Sequence, residues 1–157
     1  MTQPPSLDDL LHPDRLRADL LPYPRLAVVG FSGPEGIGKT TAAALFRLML
    51  GARGIASLNL PLADPVKDLA DARFRLPPNP FARSGLSVHR STPLPFTPVG
   101  LPQATRRWAY RWEGTDCGRT QVADRLWVWH LHERIREAAG AFYSAQTPDV
   151  PLVFTVD

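Results

Sequence analysis

This chain predicts an α/β fold, a parallel sheet with flanking helices, and three observations carry that expectation. Short apolar runs bounded by turn residues, at 26–31, 55–60 and 151–156, read as buried strands. Segments of helical periodicity separate them, the pattern of parallel strands joined by helical crossovers. The first strand runs into Gly33-Pro34-Glu35-Gly36-Ile37-Gly38-Lys39-Thr40, which spells G-x-x-x-x-G-K-T and is followed by the helical stretch 40–50. Strand, glycine loop and helix in that order form the setting in which this motif binds phosphate.

The elements follow in order. Residues 7–21 carry an interrupted helical pattern of Leu7, Leu10, Leu11, Leu16, Leu20 and Leu21, divided at Pro13 and ended by Pro22 and Pro24. This makes 1–25 an amino-terminal helical extension to a domain spanning 26–157. After the first strand and its helix, residues 51–54 form a turn. The second strand, Ile55-Ala56-Ser57-Leu58-Asn59-Leu60, is closed by Pro61. Asp64 then reads as an N-cap and Pro65 as a first helical residue, with the helix running to about Phe74. Residues 77–102 hold Pro77, Pro78, Pro80, Pro93, Pro95, Pro98 and Pro102, and read as an ordered surface excursion or a flexible lid, without regular structure. A lid-like segment, 103–121, follows: a helix from Gln103 to Trp112, a break at Gly114, and a turn through Arg119. A longer helix from about Gln121 places Val122, Leu126, Trp127, Val128, Leu131 and Ile135 mostly on one side. The run to Val156 is the third strand. With three strands and a loop of this type the expected order is 2-3-1, which leaves the first strand at an edge.

Composition narrows the function classes. The chain has 157 residues, 44% of them hydrophobic and 21% charged, which fits one soluble domain with a sizeable core. No apolar run is long enough for a membrane span, and the first residues have no basic and apolar regions of a secretory signal. Cys117 is the single cysteine, so no internal disulfide forms and a cytoplasmic setting is the default. The net charge is +3, and only Lys39 and Lys67 are lysines. The arginine excess suits bidentate capture of phosphates, and equally an arginine-biased genome. No basic run or aromatic–basic repeat points to specific nucleic-acid binding.

The loop carries the sharpest chemistry. Its glycines let the backbone curl around a phosphate chain, and its amides and the helix start point at the anion. Gly33, Glu35, Gly36, Ile37, Gly38, Lys39, Thr40 and Thr41 form the expected ATP site. Lys39 reaches the β- and γ-phosphates, and the Thr40 hydroxyl holds Mg²⁺.

Several later segments, in order and spacing, resemble the phage-type deoxynucleoside monophosphate kinases. Leu62-Ala63-Asp64-Pro65-Val66-Lys67-Asp68 is similar to that family's F-A-D-P-[LV]-K-[ED] segment. Thr105-Arg106-Arg107 stands where the family has T-P-R, and Gly114-Thr115-Asp116-Cys117-Gly118-Arg119 where it has G-T-E-x-G-R. Leu126-Trp127-Val128 matches [LF]-W-V, and Val153-Phe154-Thr155-Val156-Asp157 matches the approach to D-V-R-F-x-N-E. The resemblance covers about residues 26–157. Arg106 replaces a proline, Asp116 replaces a glutamate, and the sequence stops at Asp157 before the arginine and glutamate of the last motif. The implied fold is a P-loop nucleoside-kinase-like sheet, incomplete at its carboxyl end, with self-association or a homo-oligomer as a consequence of the open edge.

The resemblance also implies residue roles, some with a plainer alternative. Lys39 and Arg119 are catalytic, Arg119 stabilising charge on the transferring group. Asp64, Lys67, Arg107, Thr115 and Trp127 bind the acceptor, although Asp64 also reads as a helix cap and Trp127 as a core residue. Thr40 and Asp157 hold Mg²⁺, Asp157 as a carboxylate at the carboxyl end of a strand; the alternative is a solvated chain end. Arg106 and Arg111 read as surface charges. His130 and His132, two apart on a helix, face different directions. The implied activity is ATP-dependent phosphorylation of a (deoxy)nucleoside monophosphate. A nucleotide-binding module with little or no turnover, and another small-molecule kinase, are the alternatives.

Overall fold

The computed structural model describes all residues except 1–5, 11, 21, 24, 35, 77–90, 97–99, 101–103 and 146–148. Along the chain lie α1 (Leu7–Leu10), α2 (Pro13–Leu20), β1 (Leu26–Gly30), α3 (Lys39–Gly51), β2 (Ala56–Asn59) and α4 (Asp64–Arg73). Then come α5 (Arg106–Arg111), a π-helix (Trp112–Val122), α6 (Leu126–Ala145) and β3 (Leu152–Val156). The chain groups into two units, Met1–Leu62 with Val128–Asp157, and Ala63–Trp127.

The first unit holds the sheet. Its order is β1-β3-β2, all parallel, as the sequence pattern predicts. β3 is central because its apolar run LVFTV is covered on both faces: Leu152, Phe154 and Thr155 are fully buried. A strand buried on both faces reads as a continuous apolar stretch, not an alternating one. Leu26 pairs with Leu152 and Gly30 with Val156 on one side of β3, and Asn59 pairs with Thr155 on the other. β1 is an edge among the described residues, and its Val28 is 45% exposed.

α6 covers the sheet with residues spaced three and four apart. Leu131, Ile135, Ala138, Ala139 and Phe142 pack with Leu152, Phe154, Leu26 and Leu20 in one core. Tyr23 stacks on Tyr143 with ring centroids 5.3 Å apart, which ties the entry to β1 onto α6. α3 packs along β2, with Ala43 buried and Phe46 edge-on to Phe31 at 6.0 Å. Pro13 is the first residue of α2, where its missing N–H costs nothing, so the proline that divides the leucine pattern also starts its second helix.

The second unit has its own core, Leu76, Leu94 and Ala109 with Phe74, Ala104 and Trp108 beside them. Most of the proline-rich stretch lies outside the described residues. The described part is more regular than its composition predicts: Pro93 bridges antiparallel to Thr105, and the Leu94 N–H reaches the Ala104 carbonyl at 3.0 Å. The Thr105 hydroxyl accepts from the Trp108 N–H at 3.4 Å and caps α5, which starts at Arg106. The expected start at Gln103 lies outside the described residues.

Three local expectations need correction. Asp64 does not cap α4: the cap position is Ala63, with no side-chain bond, and the Asp64 carboxylate turns to Lys67 Nζ at 3.3 Å. Gly114 does not break the helix, which continues as a π-helix to Val122, and the next helix begins at Leu126, not near Gln121. Val122 is therefore not on the buried side of α6, and it is 65% exposed. Arg106 is not a surface charge. It is buried, with Nε 3.2 Å from Asp71 Oδ1, and the Tyr110 hydroxyl donates to the same oxygen at 3.1 Å. A buried guanidinium is tolerable because its charge is paired and hydrogen-bonded.

Candidate functional site

β1 delivers the chain to the carboxyl edge of the sheet, where ligands bind in open parallel sheets. The Phe31 N–H donates to the Val156 carbonyl at 2.7 Å, so the glycine loop departs beside the last residues of β3. Gly36 and Gly38 have φ of 82° and 89°, a left-handed conformation that strains any residue with a Cβ. Gly38 is the N-cap of α3 and offers no side chain to its first amides.

Lys39 is folded back over the loop. Its ammonium donates to the carbonyls of Gly33 at 2.9 Å and Pro34 at 2.8 Å. The loop thus carries a cation held by oxygens of its own first residues and by no carboxylate among the described residues. Thr40 and Thr41 lie exposed in the first turn of α3, whose 13 residues supply a full helix dipole directed at the same place. Ile37 is 66% exposed at the loop's crest. Glu35 lies outside the described residues.

Asp157 stands at the end of β3, half-buried, one residue past the pairing of Val156 with Gly30. Its main-chain carbonyl accepts from the Leu62 N–H at 3.3 Å, and its carboxylate Oδ1 lies 3.5 Å from Asn59 Nδ2. The first unit therefore brings together the loop, Lys39, Thr40 and Asp157 at one sheet edge. Asn59 was not among the residues singled out from the sequence. The only signal for it is a polar residue closing the apolar strand at 56–59.

The remaining predicted residues belong to the second unit. Lys67 is buried and paired with Asp64 at 3.3 Å in the first turn of α4. Arg107 is exposed on the first turn of α5. Thr115 and Arg119 are exposed on the π-helix, and Arg119 directs Nε and Nη2 to Asp124 Oδ1 at 3.2 and 2.9 Å. Trp127 is buried, with its indole N–H on the Gly114 carbonyl at 2.7 Å. A second charged group, unforeseen in the sequence, lies nearby. Arg73 pairs with buried Glu113 at 2.9 Å and sits 5.3 Å from the centre of the Trp112 ring.

Comparison of the chain with protein-family models, curated proteins and solved structures gives no match. Among the described residues no helix is long and apolar enough to cross a membrane.

Proposed function

We propose that this chain is a P-loop phosphotransferase that moves the γ-phosphoryl group of ATP to a (deoxy)nucleoside monophosphate. The observation that carries the nucleotide half of this reading is the Lys39 ammonium, held on the Gly33 and Pro34 carbonyls of a glycine loop that leads into α3 with no side-chain cap. A phosphate chain laid in the loop takes amide N–H groups from its backbone and charge from Lys39. Phosphoryl transfer asks little covalent chemistry of a protein. An oxygen of the acceptor phosphate attacks the γ-phosphorus, the bond to the β–γ bridging oxygen breaks, and ADP leaves with that electron pair. Lys39 and the loop amides stabilise charge on the donor oxygens as this happens.

Thr40 and Asp157 fit Mg²⁺. Both offer hard oxygen donors at the loop's end of the sheet, and Asp157 keeps one carboxylate oxygen outside any hydrogen bond among the described residues. When bound with ATP, Mg²⁺ supplies neutralisation of the β- and γ-phosphate oxygens. The acceptor half of the reading rests on the resemblance carried by Asp64, Lys67, Arg107, Thr115 and Arg119. Arg107 and Arg119 are exposed at the surface, Arg119 bound to Asp124, whereas Lys67 is buried against Asp64.

The test is ADP formation from ATP and Mg²⁺, with and without each deoxynucleoside monophosphate in turn. The expected result is turnover that depends on one or more of these acceptors. ATP binding without acceptor-dependent turnover reduces the reading to a nucleotide-binding module, and no ATP binding ends it.

A further inference from the structure

The carboxyl edge of the sheet holds a short series of hydrogen bonds that ends on Asp157. Parallel register places Asn59 of β2 opposite Thr155 of β3. Thr155 is fully buried, and its hydroxyl lies 2.7 Å from Asn59 Oδ1 and 3.4 Å from the Leu58 carbonyl. A hydroxyl has one proton to donate, and the shorter contact takes it. With Oδ1 engaged, the Asn59 amide is held in one of its two orientations, its Nδ2 turned to Asp157 Oδ1 at 3.5 Å.

We propose that Thr155 and Asn59 are positioning residues for Asp157, holding its carboxylate in the orientation that receives the cation of a metal–nucleotide complex. This inference rests on the reading of the loop as an ATP site. Ligating carboxylates are themselves hydrogen-bonded, and those outer partners set how tightly the metal is held. The chemistry of the partner matters. An amide donates to one oxygen while leaving the carboxylate its whole negative charge, and the second oxygen stays open. A lysine or arginine in place of Asn59 would cancel that charge. Satisfying the buried Thr155 hydroxyl does not by itself require an amide side chain, because the Leu58 carbonyl is already within reach. Valine at 155 would simply continue the apolar run of β3 with the same shape.

The experiment measures ATP affinity of the full chain by calorimetry across a series of free Mg²⁺ concentrations and in EDTA. Wild type is compared with Asn59→Ala, Thr155→Val and Thr155→Ser, and electron paramagnetic resonance with Mn²⁺ and ATP reads metal binding directly. Asn59→Ala and Thr155→Val are expected to raise the half-effective Mg²⁺ concentration about tenfold, the lower end for outer-sphere partners of a metal site. Their ATP affinity in EDTA stays at the wild-type value, and Thr155→Ser, which keeps the hydroxyl, keeps the wild-type Mg²⁺ dependence. Unchanged Mg²⁺ dependence in both Asn59→Ala and Thr155→Val overturns the inference and leaves the ATP site standing. Equal loss of affinity with and without metal also overturns it, since that is a structural effect. Failure of the wild type to bind ATP at all removes the parent reading and this one with it. If Asn59→Ala does not fold, the nearly isosteric Thr155→Val decides.

Discussion

Trp127 donates its indole N–H to the main-chain carbonyl of Gly114 at 2.7 Å, and the same ring lies against Gly118. The indole of Trp127 is thus packed on the π-helix at both glycines. A Cβ on Gly118 would stand 2.5 Å from Trp127 Cζ2 and 2.9 Å from the Glu113 carbonyl oxygen, so Gly118→Ala cannot be relieved by a side-chain shift alone. Overpacking of this kind costs on the order of 1–3 kcal/mol. Trp127→Phe keeps an aromatic ring but strands the Gly114 carbonyl, at a cost of about 1–3 kcal/mol. Both variants should melt several degrees below wild type by circular dichroism. A Gly118→Ala protein with an unchanged melting temperature would show that the π-helix is not held by this contact.

Lys39→Ala should abolish acceptor-dependent ADP formation while the fold survives. The Lys39 ammonium donates to carbonyls of its own loop at 2.8–2.9 Å, and no buried partner among the described residues is stranded by its loss. Its contribution grows with charge in the transition state, so turnover falls further than ATP affinity. Near-normal turnover with an intact circular dichroism spectrum would exclude the loop as the catalytic centre.

Arg119 is exposed and tied to Asp124, an ion pair that contributes little to stability at such a site. Arg119→Ala should therefore leave the melting temperature nearly unchanged. If the guanidinium acts on the transferring group, turnover falls by on the order of a thousandfold, with ATP affinity much less affected. Equal losses in turnover and ATP affinity would assign Arg119 to donor binding. Asp124→Asn, which weakens the pair, should not lower turnover.

Ser6 and Asp9 close the start of α1 reciprocally. The Asp9 carboxylate accepts from the Ser6 N–H at 3.0 Å and its hydroxyl at 2.7 Å, and the Asp9 N–H reaches Ser6 Oγ at 3.2 Å. The side-chain hydrogen bond from Ser6, then the backbone one, lower the Asp9 pKa below the usual aspartate value. A depressed carboxylate pKa stabilises α1 above the unfolded aspartate's pKa, and that support is lost as pH falls through the folded value. Carbon-detected NMR of the Asp9 carboxylate should show the low pKa in wild type and a return toward the ordinary value in Ser6→Ala. An unchanged Asp9 titration in that variant would show that Ser6 is not the cause.

What the sequence made legible is what local pattern determines. The three strands, the helix after the loop and the loop itself follow from apolar runs, glycines and spacing, and the parallel order follows from the usual sheet of kinases with such a loop. The illegible parts depend on residues far apart in the chain. Gly114 and Gly118 read as a break and a turn until Trp127 is placed on them. Arg106 reads as solvated until Asp71 is found beside it. Asn59 gains meaning only when the register sets it opposite Thr155 and near Asp157.

The last prediction concerns association. Leu45, Leu48 and Met49 sit three and four apart on α3, one face of the helix, and are 57%, 71% and 55% exposed. In the same unit β1 is an edge among the described residues, with Val28 open. A patch of large apolar side chains and an open strand edge are each association hazards. The chain should therefore self-associate with rising concentration in sedimentation velocity. Leu48→Lys and Met49→Lys together should shift it toward monomer without lowering its melting temperature, because neither residue is buried. The substitutions lie on α3 two turns beyond Lys39 and Thr40, so ATP binding should persist. A wild-type chain that stays monomeric across the concentration series would show that the exposed face of α3 does not drive association.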